Sequence, residues 1–249
     1  MPQIIALDAF TTDHGDETIW TPVAELGDFR RHDRSLANEL HERIGQADCI
    51  LTNKVPVDAA LLRDCPSLRY VGVLATGVDH IDLAACRDAS VAVANVPGYS
   101  TDSVAQLTIA YLLHHAVGVH RHDQAVRAGA WQHANDFCFT IGDLQELATG
   151  TLLLIGQGAI GSAVRRIAEA LGMRVLAAQV PGSTPKPDRL PLEEALPQAD
   201  YISLHCPLTD RTRHLVDAAF INRCRSEAVL INTGRGALID DAALRFALD

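Results

Sequence analysis

No apolar run in this sequence approaches the roughly 20 residues that a membrane-spanning helix needs. The N-terminus also lacks the pattern of a secretory signal. Surplus positive charge is missing too: 21 Lys and Arg face 31 Asp and Glu, a net charge of −10. That disfavours nucleic acid or an anionic membrane surface as a partner. The six cysteines, at 49, 65, 86, 138, 206 and 224, form no C-x-x-C pair. Their scatter argues against a zinc site or a disulfide framework and for reduced, mostly buried thiols. There is no internal repeat and no low-complexity tract. What remains is the expectation of a soluble cytoplasmic chain, in which local basic sites for an anionic cofactor stay possible.

What is present is ample apolar material. The chain has 249 residues, 48% of them hydrophobic, enough for one large or two medium domains. Residues 151–155, Thr-Leu-Leu-Leu-Ile, form a short apolar run without alternation, which reads as a buried parallel strand. It ends in Gly156-Gln157-Gly158-Ala159-Ile160-Gly161, the spacing G-x-G-x-x-G. Ala163, Val164, Ile167, Ala168 and Leu171 follow at helical spacing, with Gly172 as a stop. Strand, glycine turn and helix together make a dinucleotide fingerprint. Gly156 permits the tight turn, Gly158 leaves room for a pyrophosphate against the backbone, and Gly161 lets helix and strand pack closely. The helix N-terminus offers N–H groups and partial positive charge to the phosphates.

Residues 1–97 alternate short strand candidates (4–7, 49–52, 70–74, 91–94) with helix candidates (35–44, 57–63, 81–88), which argues for a parallel sheet. Ala75-Thr76-Gly77 follows the third of these strands, where α/β sheets bind ligands. Its small residues can offer N–H groups to a carboxylate, or the stretch is a turn in which Asp79 or Asp82 caps a helix. Pro97-Gly98 marks a turn or hinge. Thr101 or Ser103 can then cap a long helix over about 102–119. His115 and His122 share a face of such a helix but His120 does not, and the ligand spacings of a metal site are not met.

Strand 174–178 ends at Gln179, where an NAD site carries Asp or Glu for the ribose 2′-OH. A neutral amide does not repel a 2′-phosphate, and Ser183, Thr184, Lys186 and Arg189 lie just beyond, either to contact one or as an ordinary polar loop. Strand 200–204 runs into His205-Cys206-Pro207, and strand 229–231 into Asn232-Thr233-Gly234-Arg235-Gly236. An arginine between glycines at a strand's carboxyl end presents a fork that fits a carboxylate, unless it is a surface loop arginine.

Taken together, LATGVDHIDLAA (74–85), NVPGYSTDSVAQLT (95–108), DFCF (136–139), GQGAIG (156–161), ADYISLHCPLT (199–209) and LINTGRGALID (230–240) resemble the D-isomer-specific 2-hydroxyacid dehydrogenases, closest to the glycerate dehydrogenase/hydroxypyruvate reductase group. The resemblance implies an α/β fold of two Rossmann-like domains with parallel sheets: residues 1–97 for substrate and 98–249 for NAD or NADP. It implies that Leu74, Ala75, Thr76 and Gly77 bind the substrate carboxylate, and that Arg235 is the catalytic arginine. Cofactor contacts are implied for Thr76, Val104, Gly156, Gly158, Ala159, Ile160, Gly161, Gln179, His205, Cys206, Pro207, Thr233, Gly234 and Arg235. It further implies a homodimer built on the long helix and on 131–139, and a small 2-keto acid such as hydroxypyruvate or glyoxylate. The family's catalytic Glu and His fall after the arginine, beyond residue 249, and none of the eleven histidines matches that His. The cofactor domain is accordingly expected to be incomplete at its C-terminus and the 249-residue chain impaired in turnover. The alternatives are a nucleotide-binding sensor without turnover and an inert fragment.

Overall fold

The structure is a computed structural model that describes residues 1–249. The chain divides into two compact units, Met1–Tyr99 and Ser100–Asp249.

The first unit contains β1 (Gln3–Ala6), α1 (Phe10–Asp13), α2 (Thr21–Ala24), β2 (Asp28–Arg31), α3 (Leu40–Ile44), β3 (Cys49–Thr52), α4 (Ala59–Asp64), β4 (Tyr70–Val73), α5 (Leu83–Asp88) and β5 (Ala92–Ala94). Its five strands are all parallel, in the order β2-β1-β3-β4-β5. Strand β2 carries no apolar signal because it lies at the sheet edge, where Asp28 and Arg30 face water and discourage further pairing. Its Arg31 turns back onto the fully buried Asp13 carboxylate at 2.8 Å, which also accepts from the Trp20 indole at 2.7 Å. Burial alone would raise the pKa of Asp13; the Gly15 N–H, Trp20 and Arg31 overcome it and hold the carboxyl below its usual range. The main core packs Ile50, Val71 and Val73 against Val57, Leu62 and Ile81.

The second unit contains α6 (Thr101–Val117), α7 (Val119–Arg127), β6 (Thr151–Ile155), α8 (Ala159–Ala170), β7 (Arg174–Ala178), α9 (Leu192–Ala195), β8 (Tyr201–Leu204), α10 (Ala218–Ile221), β9 (Val229–Asn232) and α11 (Asp241–Leu248). Its sheet is parallel too, in the order β7-β6-β8-β9. Both units therefore have the parallel α/β architecture expected. The unalternating run of β6 is explained by two apolar faces. Leu152 and Leu154 pack with Ile109 and Leu112 of α6 and Val164 of α8, while Leu153 and Ile155 pack with Leu196, Phe220 and Leu238.

Two details of the long helix differ from expectation. Gly118 adopts the left-handed conformation at φ 57°, so α6 stops at Val117 and a separate helix begins at Val119. Neither Thr101 nor Ser103 caps α6: the cap position is Ser100, whose side chain makes no capping bond, and the Ser103 hydroxyl donates to the Ser100 carbonyl at 3.1 Å.

Candidate functional site

In the second unit the chain leaves β6 towards β7 on one side, then crosses to β8 on the other. The gap between the carboxyl ends of β6 and β8 is thus a topological switch point, the place where open α/β sheets bind ligands. An open cleft of about 750 Å³ lies there, lined by Gly156, Gln157 and Gly158, by Gln179 to Thr184 with Lys186 and Arg189, and by His205, Pro207 and Thr209 to Thr212.

The three glycines do separate physical work. Gly156 has φ +100°, and a Cβ on it would lie 2.5 Å from the main chain of His205 and Cys206. A Cβ on Gly161 would lie 2.3 Å from the Gly156 carbonyl oxygen. A Cβ on Gly158 would meet nothing within 4 Å. Gly156 and Gly161 are therefore required by the fold itself, whereas the bare face of Gly158 is required by nothing within the protein. Gly158 is also the cap position of α8, with no side chain bonded to the helix start. The N–H groups of Ala159, Ile160 and Gly161 lack intrahelical acceptors. An uncapped helix start beside an empty glycine face is a cradle for a pyrophosphate.

Beyond β8, the His205 N–H donates to the Ile155 carbonyl at 2.7 Å, and its Nε2 is 2.9 Å from the Ser203 hydroxyl. Burial pushes the His205 imidazole down from 6.5 to about 4. It is neutral at pH 7, as is the neighbouring buried Cys206, whose thiol burial pushes up. A histidine with a lowered folded pKa binds fewer protons when folded than when unfolded. Its stabilising share is therefore complete above about pH 6.5, falls as the pH drops towards 4, and levels off below that. His205→Gln should flatten this part of the profile, worth about 3 kcal/mol at most. Melting curves of both proteins across this range check it; parallel acid losses would rule the histidine out.

Beyond β9, Asn232 organises the arginine loop. Its Nδ2 donates to the Arg235 carbonyl at 2.9 Å and its Oδ1 accepts from the Gly234 N–H at 3.0 Å. Thr233 Oγ1 is 3.3 Å from Oγ1 of Thr108, a fully buried residue of α6 that also donates to the Val104 carbonyl at 2.9 Å. Arg235 is half-buried. Asn232 and Thr108 were not singled out in the sequence. An Asn at a strand end before a glycine is an Asx-turn signal that points to the first; a threonine inside a helix gives no such signal for the second.

In the first unit, Leu74, Ala75, Thr76 and Gly77 leave β4. Ala75 is buried and its carbonyl accepts from the Val96 N–H at 3.1 Å, while Asn95 Nδ2 donates to the Thr76 carbonyl at 2.7 Å and Thr76 Oγ1 donates to the Val96 carbonyl at 3.2 Å. Carbonyls are thus used internally. Asp82, not Asp79, caps α5, accepting from the Ala85 N–H at 2.9 Å. At the switch point of this unit, between β1 and β3, Asp8 accepts from the Asn53 and Lys54 N–H groups at 2.8 and 2.6 Å, beside a cavity of about 330 Å³ lined by Asp8, Arg34, Ser35 and Lys54.

No group of three or more His, Cys, Asp or Glu is placed to hold a metal. The break at Gly118 removes the shared face of His115 and His122. His122 instead bridges the Gly118 carbonyl through Nδ1 at 3.0 Å and the Ile141 N–H through Nε2 at 3.1 Å. No helix is long and apolar enough to cross a membrane.

A parallel sheet with a glycine cradle, an uncapped helix start and a large cleft at its switch point defines a dinucleotide-binding α/β protein. Comparison with known proteins narrows this. Residues 109–249 match the family model of the D-isomer specific 2-hydroxyacid dehydrogenase, NAD binding domain. A hydroxypyruvate reductase of Blautia hydrogenotrophica is 37% identical over 254 residues, covering 99% of this chain and 79% of the relative. Among solved structures, D-lactate dehydrogenase from Aquifex aeolicus, complexed with NAD and lactic acid, has a TM-score of 0.84 at 26% identity, covering 99% of this chain and 73% of that one. An acyclic imino acid reductase (Bsp5) in complex with NADPH and D-Arg has a TM-score of 0.82 at 26% identity, covering 99% and 78%. The chain belongs to the D-isomer specific 2-hydroxyacid dehydrogenase family. It is an oxidoreductase that moves a hydride between NAD or NADP and a 2-hydroxy or 2-keto acid.

Proposed function

We propose that the chain interconverts a small 2-keto acid of the hydroxypyruvate or glyoxylate type and its D-2-hydroxy acid, in the cytoplasm and as a homodimer. The observation that carries this reading is the arginine loop. Asn232 fixes the carbonyl of Arg235 and the N–H of Gly234, so the guanidinium stands on a clamped support rather than a loose turn. A held guanidinium binds a carboxylate bidentately and steadies the charge that develops on the neighbouring carbonyl oxygen. In this reading residues 1–97 bind substrate, and 98–249 bind the cofactor. Ala75, Thr76 and Gly77 receive the carboxylate through their N–H groups, and Leu74, whose own N–H donates to the Thr52 carbonyl at 2.8 Å, anchors the start of that loop.

Gly156, Gly158, Ala159, Ile160 and Gly161 hold the pyrophosphate, with Thr76, Val104, Gln179, His205, Cys206, Pro207, Thr233, Gly234 and Arg235 completing the cofactor's surroundings. The nicotinamide, when bound, would supply or accept the hydride at the substrate's C2, and the accompanying proton would be exchanged between the substrate oxygen and solvent. His205, held neutral by burial, lines the cleft and does not serve as the acid. The dimer reading is supported by large apolar side chains left exposed in the two segments concerned, Leu107 and Tyr111 on α6 and Trp131 and Phe137 in 131–139.

The test compares hydroxypyruvate and glyoxylate with glycolaldehyde, which has a carbonyl but no carboxylate. Cofactor oxidation with the keto acids should exceed that with glycolaldehyde by about 100-fold or more, the worth of a bidentate charged contact in the transition state. The protein should sediment as a dimer. Equal rates would remove the arginine's proposed role, and a monomer would remove the proposed interface.

A further inference from the structure

The segment after β7 folds back on itself, and Gln179 holds it there. The Gln179 Nε2 donates to the Ser183 hydroxyl at 2.6 Å and lies 3.1 and 3.2 Å from the carbonyl oxygens of Ser183 and Thr184. Its Oε1 accepts from the Lys186 N–H at 3.2 Å. Ser183 Oγ passes its own proton to the Val180 carbonyl at 2.7 Å. The main chain closes the loop as well: the Gln179 N–H donates to the Leu190 carbonyl at 2.8 Å, and the Leu190 N–H to the Ala177 carbonyl at 2.9 Å. Both ends of the amide are therefore spent on residues 183–186. Gln179 has little left with which to read a ribose hydroxyl.

What the pinned loop presents to the cleft is cationic. Lys186 and Arg189 line it, with Arg211 and Asp210 across from them. The Arg189 side chain is only 9% exposed, yet its Nε is buried without a hydrogen-bond partner. The Asp188 carboxylate beside it is 3.8 Å from Nε and is itself 63% exposed. A guanidinium withdrawn from water with a buried N–H left unbonded, and with only a long pairing to an exposed carboxylate, is unfavourable unless a ligand completes it. No acid occupies the end of β7, the position from which a carboxylate would repel a phosphate on the ribose.

We propose that residues 180–190 form a 2′-phosphate site in which Arg189 and Lys186 hold the phosphate, with Gln179 as the positioning residue that pins the loop. The chain accordingly prefers NADPH to NADH. This deepens the cofactor reading and rests on the cleft being the dinucleotide site.

The test is calorimetric binding of four probes to the whole chain, without turnover: NADPH, NADH, 2′,5′-ADP and 5′-AMP. NADPH should bind at least about tenfold more tightly than NADH, and 2′,5′-ADP should exceed 5′-AMP by a similar factor, the scale of one charge-assisted contact. Arg189→Gln should erase most of both preferences while the NADH affinity stays within about twofold, since only the phosphate contact is lost. Lys186→Ala, at an exposed position where folding is not at risk, should reduce them several-fold. Gln179→Ala adds no charge, yet it should weaken 2′,5′-ADP and speed amide exchange in 183–186; Gln179→Asp should reverse the preference. Equal affinities, or tighter NADH, would overturn the proposal and leave the dinucleotide site standing. No binding of any probe would overturn both. Preferences unmoved by Arg189→Gln and Lys186→Ala would overturn the residue assignment.

Discussion

Gly158→Asp should abolish dinucleotide binding, weakening it by about 100-fold or more, while the protein melts at or slightly above the wild-type temperature. The two halves of this expectation come from the same geometry. A Cβ at residue 158 enters open space, so nothing has to move. The residue caps α8, and Asp is a better helix cap than Gly by a few tenths of a kcal/mol. The new carboxylate would thus satisfy the first-turn N–H groups that the pyrophosphate is expected to use, and would repel its charge. Gly156→Ala is the contrasting case. Its φ of +100° and the 2.5 Å approach to the His205 and Cys206 main chain combine backbone strain of roughly 1–3 kcal/mol with a clash that no rotamer relieves. That variant should lose stability first and binding as a consequence. Calorimetric binding and melting curves on both variants separate the effects. Retained affinity in a folded Gly158→Asp protein would mean that the cradle is not where the dinucleotide binds.

Arg235→Gln should cost about 10²–10³ in kcat/KM for 2-keto acids, the range for removing a charged donor aimed at a developing oxyanion. It should also weaken binding of oxamate, a carboxylate mimic of a keto acid, to the cofactor-loaded protein. NADH and NADPH affinity should change far less, because the glycine cradle and the 180–190 loop are untouched. Arg235→Lys should restore only a small part, since a single ammonium cannot reproduce the fork. Asn232→Ala leaves the guanidinium in place but removes both clamps on its loop. A partial loss of kcat/KM there, with the stability lowered by about 1–2 kcal/mol, would fit two lost hydrogen bonds. An Arg235→Gln protein with unchanged oxamate affinity would remove the arginine from the substrate's carboxylate.

Much of this was legible in the sequence because it is local. The β6 run, its glycine turn and the helix that follows declare themselves within some twenty residues, and the cap of α5 narrows in sequence to Asp79 or Asp82, of which the structure uses Asp82. What was not legible depends on contacts between distant segments. Strand β2 has no pattern of its own; pairing with β1 makes it a strand, and Asp13 and Trp20 fix its Arg31. Gln179 could be noticed as the wrong residue for an NAD acid, but its work as a loop pin appears only once 183–186 fold back over it. Arg189 reads in sequence either as a phosphate contact or as part of a polar loop, and its burial shows only once the bridge seats Leu190 beside Ala178. Gly118 was misread for a different reason. A single glycine inside an apolar, helix-forming stretch is tolerated as often as it terminates, and only its positive φ decides.

The most direct test of the account is the fate of the hydride. Hydroxypyruvate is incubated with the protein and with NADPH or NADH deuterated at the transferable C4 position, and the product is examined by mass spectrometry and chiral chromatography. Whatever turnover the chain supports is predicted to give D-glycerate with deuterium at C2, and to run faster from NADPH than from NADH. Unlabelled product, the L-isomer, or consumption of cofactor without a hydroxy acid would contradict it.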